Sequence, residues 1–188
     1  MYPPAPWHMH GQLWMSLLRA RGTTWGVGLV RYEDPSPLTY SELLVARAVK
    51  EPVKGVSISQ IWVDSADSVA GGRELWAIPK ELCDFDFESA HTGPLTRATW
   101  AATLGREPIV EARFTDTSSL AVRVPFKGAT WQPGIDGGSD RTAALTGSAR
   151  SLPCLGSWSF APDGPLGWLA GSRPLFSARM RDFRMSFG

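Results

Sequence analysis

GGRELWAIPKEL, Gly71 to Leu82, sets one lysine, Lys80, directly after Pro79 and among Trp76, Ile78 and Leu82. A lysine at a surface turn is ordinarily a solvated charge. One held in apolar surroundings is different, because desolvation disfavours the ammonium and lowers a lysine pKa by up to about 3–5 units, leaving a neutral amine able to attack a carbonyl. Consecutive side chains of an extended segment point to opposite sides, so a Lys80 turned inward leaves Glu81 to solvent. Which of these readings holds decides both the fold and the chemistry.

Outward from this stretch, the upstream sequence runs LVRYEDPSPLTYSELLVARAV (29–49) with its Tyr40-Ser41-Glu42, then SISQIWVDSADSVAGG (57–72). These words in this order, followed by the Gly-Arg-Glu, aromatic, Pro-Lys pattern, resemble the acetoacetate decarboxylase family over residues 24 to 88. The resemblance implies a mainly β (α+β) fold, a large barrel or cone with a few short helices. It also implies that Lys80 forms a Schiff base and that Glu42 lies in the active site, with no metal or organic cofactor. Gly71, Arg73, Glu74 and Pro79 are read as the structural motif that sets the turn and orients the Pro79-Lys80 peptide. Two departures stand out. The decarboxylases carry a second lysine after the reactive one, where Glu81 stands here. They also carry an arginine on the N-terminal strand and a further glutamate, where an ungapped alignment puts Gln12 and Val27. A pocket less polar than a decarboxylase's follows, with Trp76, Tyr40, Gln12, Trp62 and Trp100 as candidate substrate-binding residues.

The whole chain bounds the alternatives. At 188 residues with no linker-like run it reads as a single domain spanning 1–188. Nineteen Lys plus Arg against eighteen Asp plus Glu leaves +1, with no broad basic face for nucleic acid. Arg179, Arg181 and Arg184 do not change this, and the first two, spaced by two, read as a solvated strand edge. MYPPAPWHMHG has neither a signal-peptide core nor a membrane anchor, so a cytoplasmic protein is expected. Cys83 and Cys154 are read as free, buried thiols. His8 and His10 share a strand face without a third ligand, and His91 sits in an HTGP turn, so no metal site is expected.

Period-two alternation marks half-buried strands in LTRATWAATLG (95–105), EPIVEARFTD (107–116), LAVRVPFKG (120–128) and PLFSARMRDFRMSFG (174–188). In the third, Leu120, Val122, Val124 and Phe126 share a face and Pro125 suits an edge. The last loses phase between Met180 and Phe183, as a β-bulge would cause. YSELLVARAV fits either a strand that places Tyr40, Glu42 and Leu44 together or a helix that pairs Tyr40 with Leu43 and Leu44; the strand is preferred because the segment is short and the family resemblance implies a mostly β barrel. DSADSVAGGREL is the densest helix candidate, capped by Asp64 or Ser65 and ending at Gly71 or Gly72.

Nine tryptophans are more than a core of this size ordinarily needs, so a barrel lined in part by aromatic rings is expected to hold a bulky organic ligand. The leading expectation is a lyase that uses Lys80 on a bulky, apolar, ketone-bearing substrate of a specialised biosynthetic pathway, by decarboxylation, dehydration or aldol-type chemistry. The alternatives are a non-covalent cyclase or isomerase acting by orientation, and a non-catalytic small-molecule carrier. The family resemblance also suggests a homo-oligomer.

Overall fold

The computed structural model describes residues 1–188. Alternation of apolar and polar side chains organises twelve strands, and the way they pair explains why so many of them are apolar on both faces. The strands are β1 (Trp7–Ala20), β2 (Thr23–Glu33), β3 (Tyr40–Val49), β4 (Gly55–Val63), β5 (Lys80–Leu82), β6 (Asp84–Thr92), β7 (Leu95–Leu104), β8 (Glu107–Asp116), β9 (Arg123–Gln132), β10 (Arg141–Pro153), β11 (Leu155–Phe160) and β12 (Pro174–Phe187). A single α-helix, α1 (Ala66–Trp76), lies between β4 and β5. The larger sheet runs β3-β2-β1-β12-β10-β9-β4, and β4 pairs back onto β3, closing a seven-stranded barrel. The mainly β, barrel-type fold expected from the sequence is the fold observed.

The second sheet, β11-β8-β7-β6, covers the outer face of β1 to β3. Strands under it are therefore buried on both sides. On β1, Trp7, Met9 and Leu13 face the barrel interior, while Trp14 and Leu18 face the second sheet. The layer between the sheets holds Trp14, Trp62, Trp100 and Phe114, with Trp25, Trp158 and Trp168 packed at its margin. Each large aromatic buried there removes 150–250 Å² from water. Most of the tryptophan excess thus fills the space between the sheets rather than lining the barrel.

One seam of the barrel is thin. β4 runs parallel to β9 with a single backbone bridge, Val56 to Thr130, and β5 joins the same edge of β4 further along, pairing Ile61 with Lys80. The Gln132 side chain stands in for the missing ladder. Its Oε1 accepts from the Ile58 N–H at 2.7 Å and its Nε2 donates to the Ile58 carbonyl at 2.9 Å, with Gln132 only 1% exposed.

Several local expectations change. α1 does not stop at Gly71 or Gly72 but runs through them to Trp76, capped by Ser65, whose Oγ accepts from the Ser68 N–H at 3.2 Å. Gly-Arg-Glu is therefore helix, not turn. Residues 118–120 form a 3₁₀ turn and β9 begins only at Arg123, so Leu120 and Val122 are exposed loop residues. Pro125 lies on β9 opposite Ser148 of β10, away from the one bridge to β4 at Thr130. The bulge in β12 is where phase was lost: Phe183 pairs with Gly11 and Met180 with Leu13, leaving Arg181 and Asp182 opposite Gln12.

Arg179 is the clearest correction. It is 3% exposed, not a solvated edge. Its Nη1 donates to Asp116 Oδ2 at 3.0 Å and Oδ1 at 3.2 Å, its Nη2 donates to Gln12 Oε1, and its guanidinium lies 4.7 Å from the Trp14 ring centroid. The pair links β12 of the barrel to the end of β8 in the second sheet. Cys83 and Cys154 are free; Cys83 is buried and Cys154 half-buried, and burial pushes both thiols up to about 12. No helix is long and apolar enough to cross a membrane.

Candidate active site

The turn that delivers Lys80 is built by the end of α1. Ala77 takes a left-handed conformation, φ 53° and ψ 28°, and its N–H donates to the Arg73 carbonyl at 3.1 Å. The Ile78 N–H donates to the Gly72 carbonyl at 3.0 Å, so the helix ends in a closed cap before Pro79, which could not continue it. The chain then reverses into β5. Lys80 enters the barrel while Glu81 is exposed, as the alternation of an extended segment requires. Arg73 Nη1 donates to the Lys80 carbonyl at 3.4 Å and so touches the peptide it was expected to orient. Glu74 does not; it is exposed, beside the Tyr2 hydroxyl.

The paired glycines have a steric reason. A Cβ on Gly72 would lie 2.8 Å from Lys80 Cδ, and one on Gly71 would lie 2.7 Å from the Trp7 ring. Each glycine lets a side chain cross the helix at backbone distance.

Inside the barrel is a cavity of about 380 Å³. Its wall is apolar, with Trp7, Trp76, Phe126, Phe183 and Met180 among the larger contributors. Trp76 meets Trp7 edge-on at 4.8 Å and Phe187 at 4.7 Å, so these rings hold one another. The polar groups in the wall are Lys80, Glu42, Thr130 and the phenols of Tyr32 and Tyr40. Tyr40, Glu42 and Leu44 share the inward face of β3, as the strand reading requires.

Lys80 and Glu42 meet here, each about 5% exposed at the side chain. Lys80 Nζ donates to Glu42 Oε2 at 2.9 Å, to Ser68 Oγ at 2.9 Å and to Tyr40 Oη at 3.1 Å. Tyr32 Oη donates to the other carboxylate oxygen, Glu42 Oε1, at 3.2 Å. All three ammonium protons have a partner. Burial pulls the Lys80 pKa down, but the Glu42 carboxylate and the Tyr40 phenol push it up, and the net displacement is upward. The neutral amine expected from desolvation alone is therefore not the resting form; Glu42 holds the ammonium. Burial raises Tyr32 and Tyr40, with Glu42 adding to both and Lys80 partly opposing the rise at Tyr40, so both phenols keep their protons at neutral pH.

Three expected substrate contacts lie elsewhere. Trp62 and Trp100 belong to the layer between the sheets, because their strands present them to the barrel's outer side. Gln12 also points outward; its Nε2 donates to Glu33 Oε1 at 2.8 Å and its Oε1 receives Arg179. Val27, matched to a family glutamate by ungapped alignment, faces the second sheet. A single-residue offset in a strand exchanges its faces: Leu13, next to Gln12, does face inward, as do Val30 and Tyr32 further along β2. Ser68, Tyr32 and Thr130 were missed. Ser68 sits three residues after its cap in a helix whose inward face was not legible, and Tyr32 could have been found by its pairing opposite Tyr40 on β2 and β3.

A family model described as acetoacetate decarboxylase matches residues 4–159. No curated protein matches the chain in sequence. Among solved structures, the chain is similar to the enduracididine biosynthesis enzyme MppR complexed with pyruvate, with TM-score 0.74 and 17% identity, covering 100% of this chain and 90% of that one. It is similar to the acetoacetate decarboxylase of Legionella pneumophila, with TM-score 0.64 and 14% identity over 99% and 85% of the two chains. An acetoacetate decarboxylase-like enzyme from Sphingomonas wittichii RW1 matches with TM-score 0.63 and 14% identity over 98% and 92%. At such identities these likenesses speak to the fold.

Proposed function

The chain belongs to the acetoacetate decarboxylase family, and from that premise we propose that it is an enzyme acting on the carbonyl group of an apolar organic substrate, with Lys80 as the Schiff-base nucleophile and Glu42 as its proton carrier. The observation that carries the reading is the lysine itself: an amine 5% exposed in an apolar barrel, 2.9 Å from a carboxylate. Such a pair is costly to bury and adds little to stability over apolar replacements.

The pair provides its own activation. When a ketone enters, a proton passes from Nζ to Glu42, and the neutral amine adds to the carbonyl carbon. Protonated Glu42 then gives its proton to the carbinolamine hydroxyl, which leaves as water, and the carboxylate is restored beside the iminium. The iminium withdraws electrons from the adjacent carbon, whose bond to a proton, an aldehyde or a carboxylate can then break. Tyr32, donating to Glu42 Oε1, orients the carboxylate through both exchanges. No other group is needed to move these protons. The apolar wall supplies affinity of about 25 cal/mol per Å² of ligand surface buried. That favours extended hydrocarbon over a four-carbon acid and suits an intermediate of specialised biosynthesis.

A second reading rests on the fully engaged ammonium. With all three protons bonded and its pKa raised, Lys80 could serve as a fixed charge in a cavity that folds a flexible substrate for cyclisation without a covalent bond. Lys80→Arg separates the two, since a guanidinium keeps the charge and cannot act as a neutral amine. Under the imine reading the variant stays folded by circular dichroism, loses turnover, and gives no adduct when ketone and borohydride are added together. Wild-type turnover in Lys80→Arg would select the non-covalent reading.

A further inference from the structure

We propose that the substrate of this cavity carries no charge, and that the step after imine formation removes a proton and a hydroxyl group rather than carbon dioxide; the second half rests on the imine reading above. The observation is a balance of charge. The wall contains one cation, Lys80, and one anion, Glu42, and they are already paired at 2.9 Å. No arginine, histidine or second lysine lines the cavity. Arg73, the nearest cation along the chain, turns to the Lys80 carbonyl and to Asp136 on the outside.

A neutral ketone leaves this balance intact at every stage. Ammonium with carboxylate becomes iminium with carboxylate as water departs, and then a neutral enamine with a protonated Glu42. A keto acid instead brings a second carboxylate into a wall with one cation. Whichever anion Lys80 faces, the other stays desolvated and unpaired, which is the costly arrangement for a buried charge.

The polar groups present also suit proton removal. Loss of carbon dioxide from an imine takes its electrons from the breaking carbon–carbon bond and needs no base. Removal of an α-proton needs one, and Glu42 sits within hydrogen-bond reach of the nitrogen that will bear the iminium. For a β-hydroxy ketone the sequence balances without another reagent. Glu42 takes the α-proton and the C–H electrons form the enamine. The enamine expels the β-hydroxyl as Glu42 returns the proton to it, so water leaves. Water then adds to the unsaturated iminium, and hydrolysis frees the enone and Lys80. The net change is β-hydroxy ketone to enone plus water. Thr130, buried at 4% exposure, is the one uncharged hydroxyl of the wall outside the Lys80 cluster, and it can meet a neutral polar group on the substrate.

The test uses two eight-carbon ligands of the same length, a methyl ketone and an ω-carboxylate keto acid. Binding is read by quenching of tryptophan fluorescence, and covalent capture by intact mass after borohydride. The ketone is expected to bind and to trap on Lys80 at a concentration on the order of 100-fold below that required by the keto acid. An eight-carbon β-hydroxy ketone should give enone absorbance, whereas the matching β-keto acid should release no carbon dioxide above its spontaneous rate. Equal or better capture of the keto acid, or catalysed release of carbon dioxide, would overturn the proposal. Ketone binding without capture would remove the imine and the dehydration step, and the binding ratio would then decide the charge preference by itself.

Discussion

At the scale of single residues, the proposed mechanism gives Glu42 two opposed effects on Lys80: it would carry the protons of the reaction, and in the resting site it keeps the amine protonated. Burial lowers the lysine pKa and Glu42 more than reverses it. Reactivity of the empty enzyme toward an amine-directed reagent should therefore rise with pH only in the alkaline range. Glu42→Gln removes the carboxylate while leaving burial in place, so the onset of that rise should move to lower pH. Turnover should fall by about 10²–10⁴, the usual contribution of a positioned acid–base group. A pH series of Lys80 modification, read by mass, checks both halves, and an onset at unchanged or higher pH would contradict the assignment. Gly72 gives a second residue-level expectation. Alanine in a helix interior ordinarily stabilises by about 1 kcal/mol over glycine. Here its Cβ would press on Lys80 Cδ at 2.8 Å, and the three hydrogen bonds at Nζ leave the chain little room to move aside. Gly72→Ala should consequently keep a near-native melting temperature and lose most capture of ketone by borohydride.

At the scale of elements, the barrel is closed at β4 and β9 by one backbone bridge and one side chain, that of Gln132. Gln132→Leu keeps the volume but leaves the Ile58 N–H and carbonyl without their partner, at about 1–3 kcal/mol for each group left dry. Urea unfolding should show the loss, and deuterium exchange at the Ile58 amide should quicken while amides in the middle of β1, paired on both sides, stay protected. This closure was not legible in the sequence, since nothing about an isolated glutamine names a backbone partner 74 residues away. The strands were legible because alternation is local: β3, β7, β8 and the bulge in β12 follow it. Leu120 and Val122 also alternate, yet lie in a loop, because period two reports spacing and not pairing. The reading of α1 failed at Gly71 for a related reason. Glycine usually ends a helix by adopting positive φ, but these two are there to let Trp7 and Lys80 pass, and Ala77 makes the left-handed turn instead.

At the scale of the whole molecule, Asp116 and Arg179 connect the two sheets through a nearly dry contact. Removing one partner strands the other charge, so Asp116→Ala should cost about 3–5 kcal/mol, whereas Asp116→Leu with Arg179→Met should recover most of it. A double-mutant cycle by chemical denaturation measures the coupling, and additive losses would show that the pair does not act as a unit. The site itself was half visible before the fold was known. Lys80 stood out as a charge among apolar neighbours, and the family resemblance pointed to its role and to Glu42, but alternation does not say which face of a strand looks into a cavity, so Trp62, Trp100 and Gln12 were assigned to the wrong side. The large rings they belong with or lie beside fill the layer between the sheets, apart from the cavity wall. That separation bears on how such a molecule can change over generations. Residues facing the ligand can be exchanged one at a time while the aromatic layer behind them continues to hold the shape, so the chemistry inside the barrel is free to drift faster than the barrel.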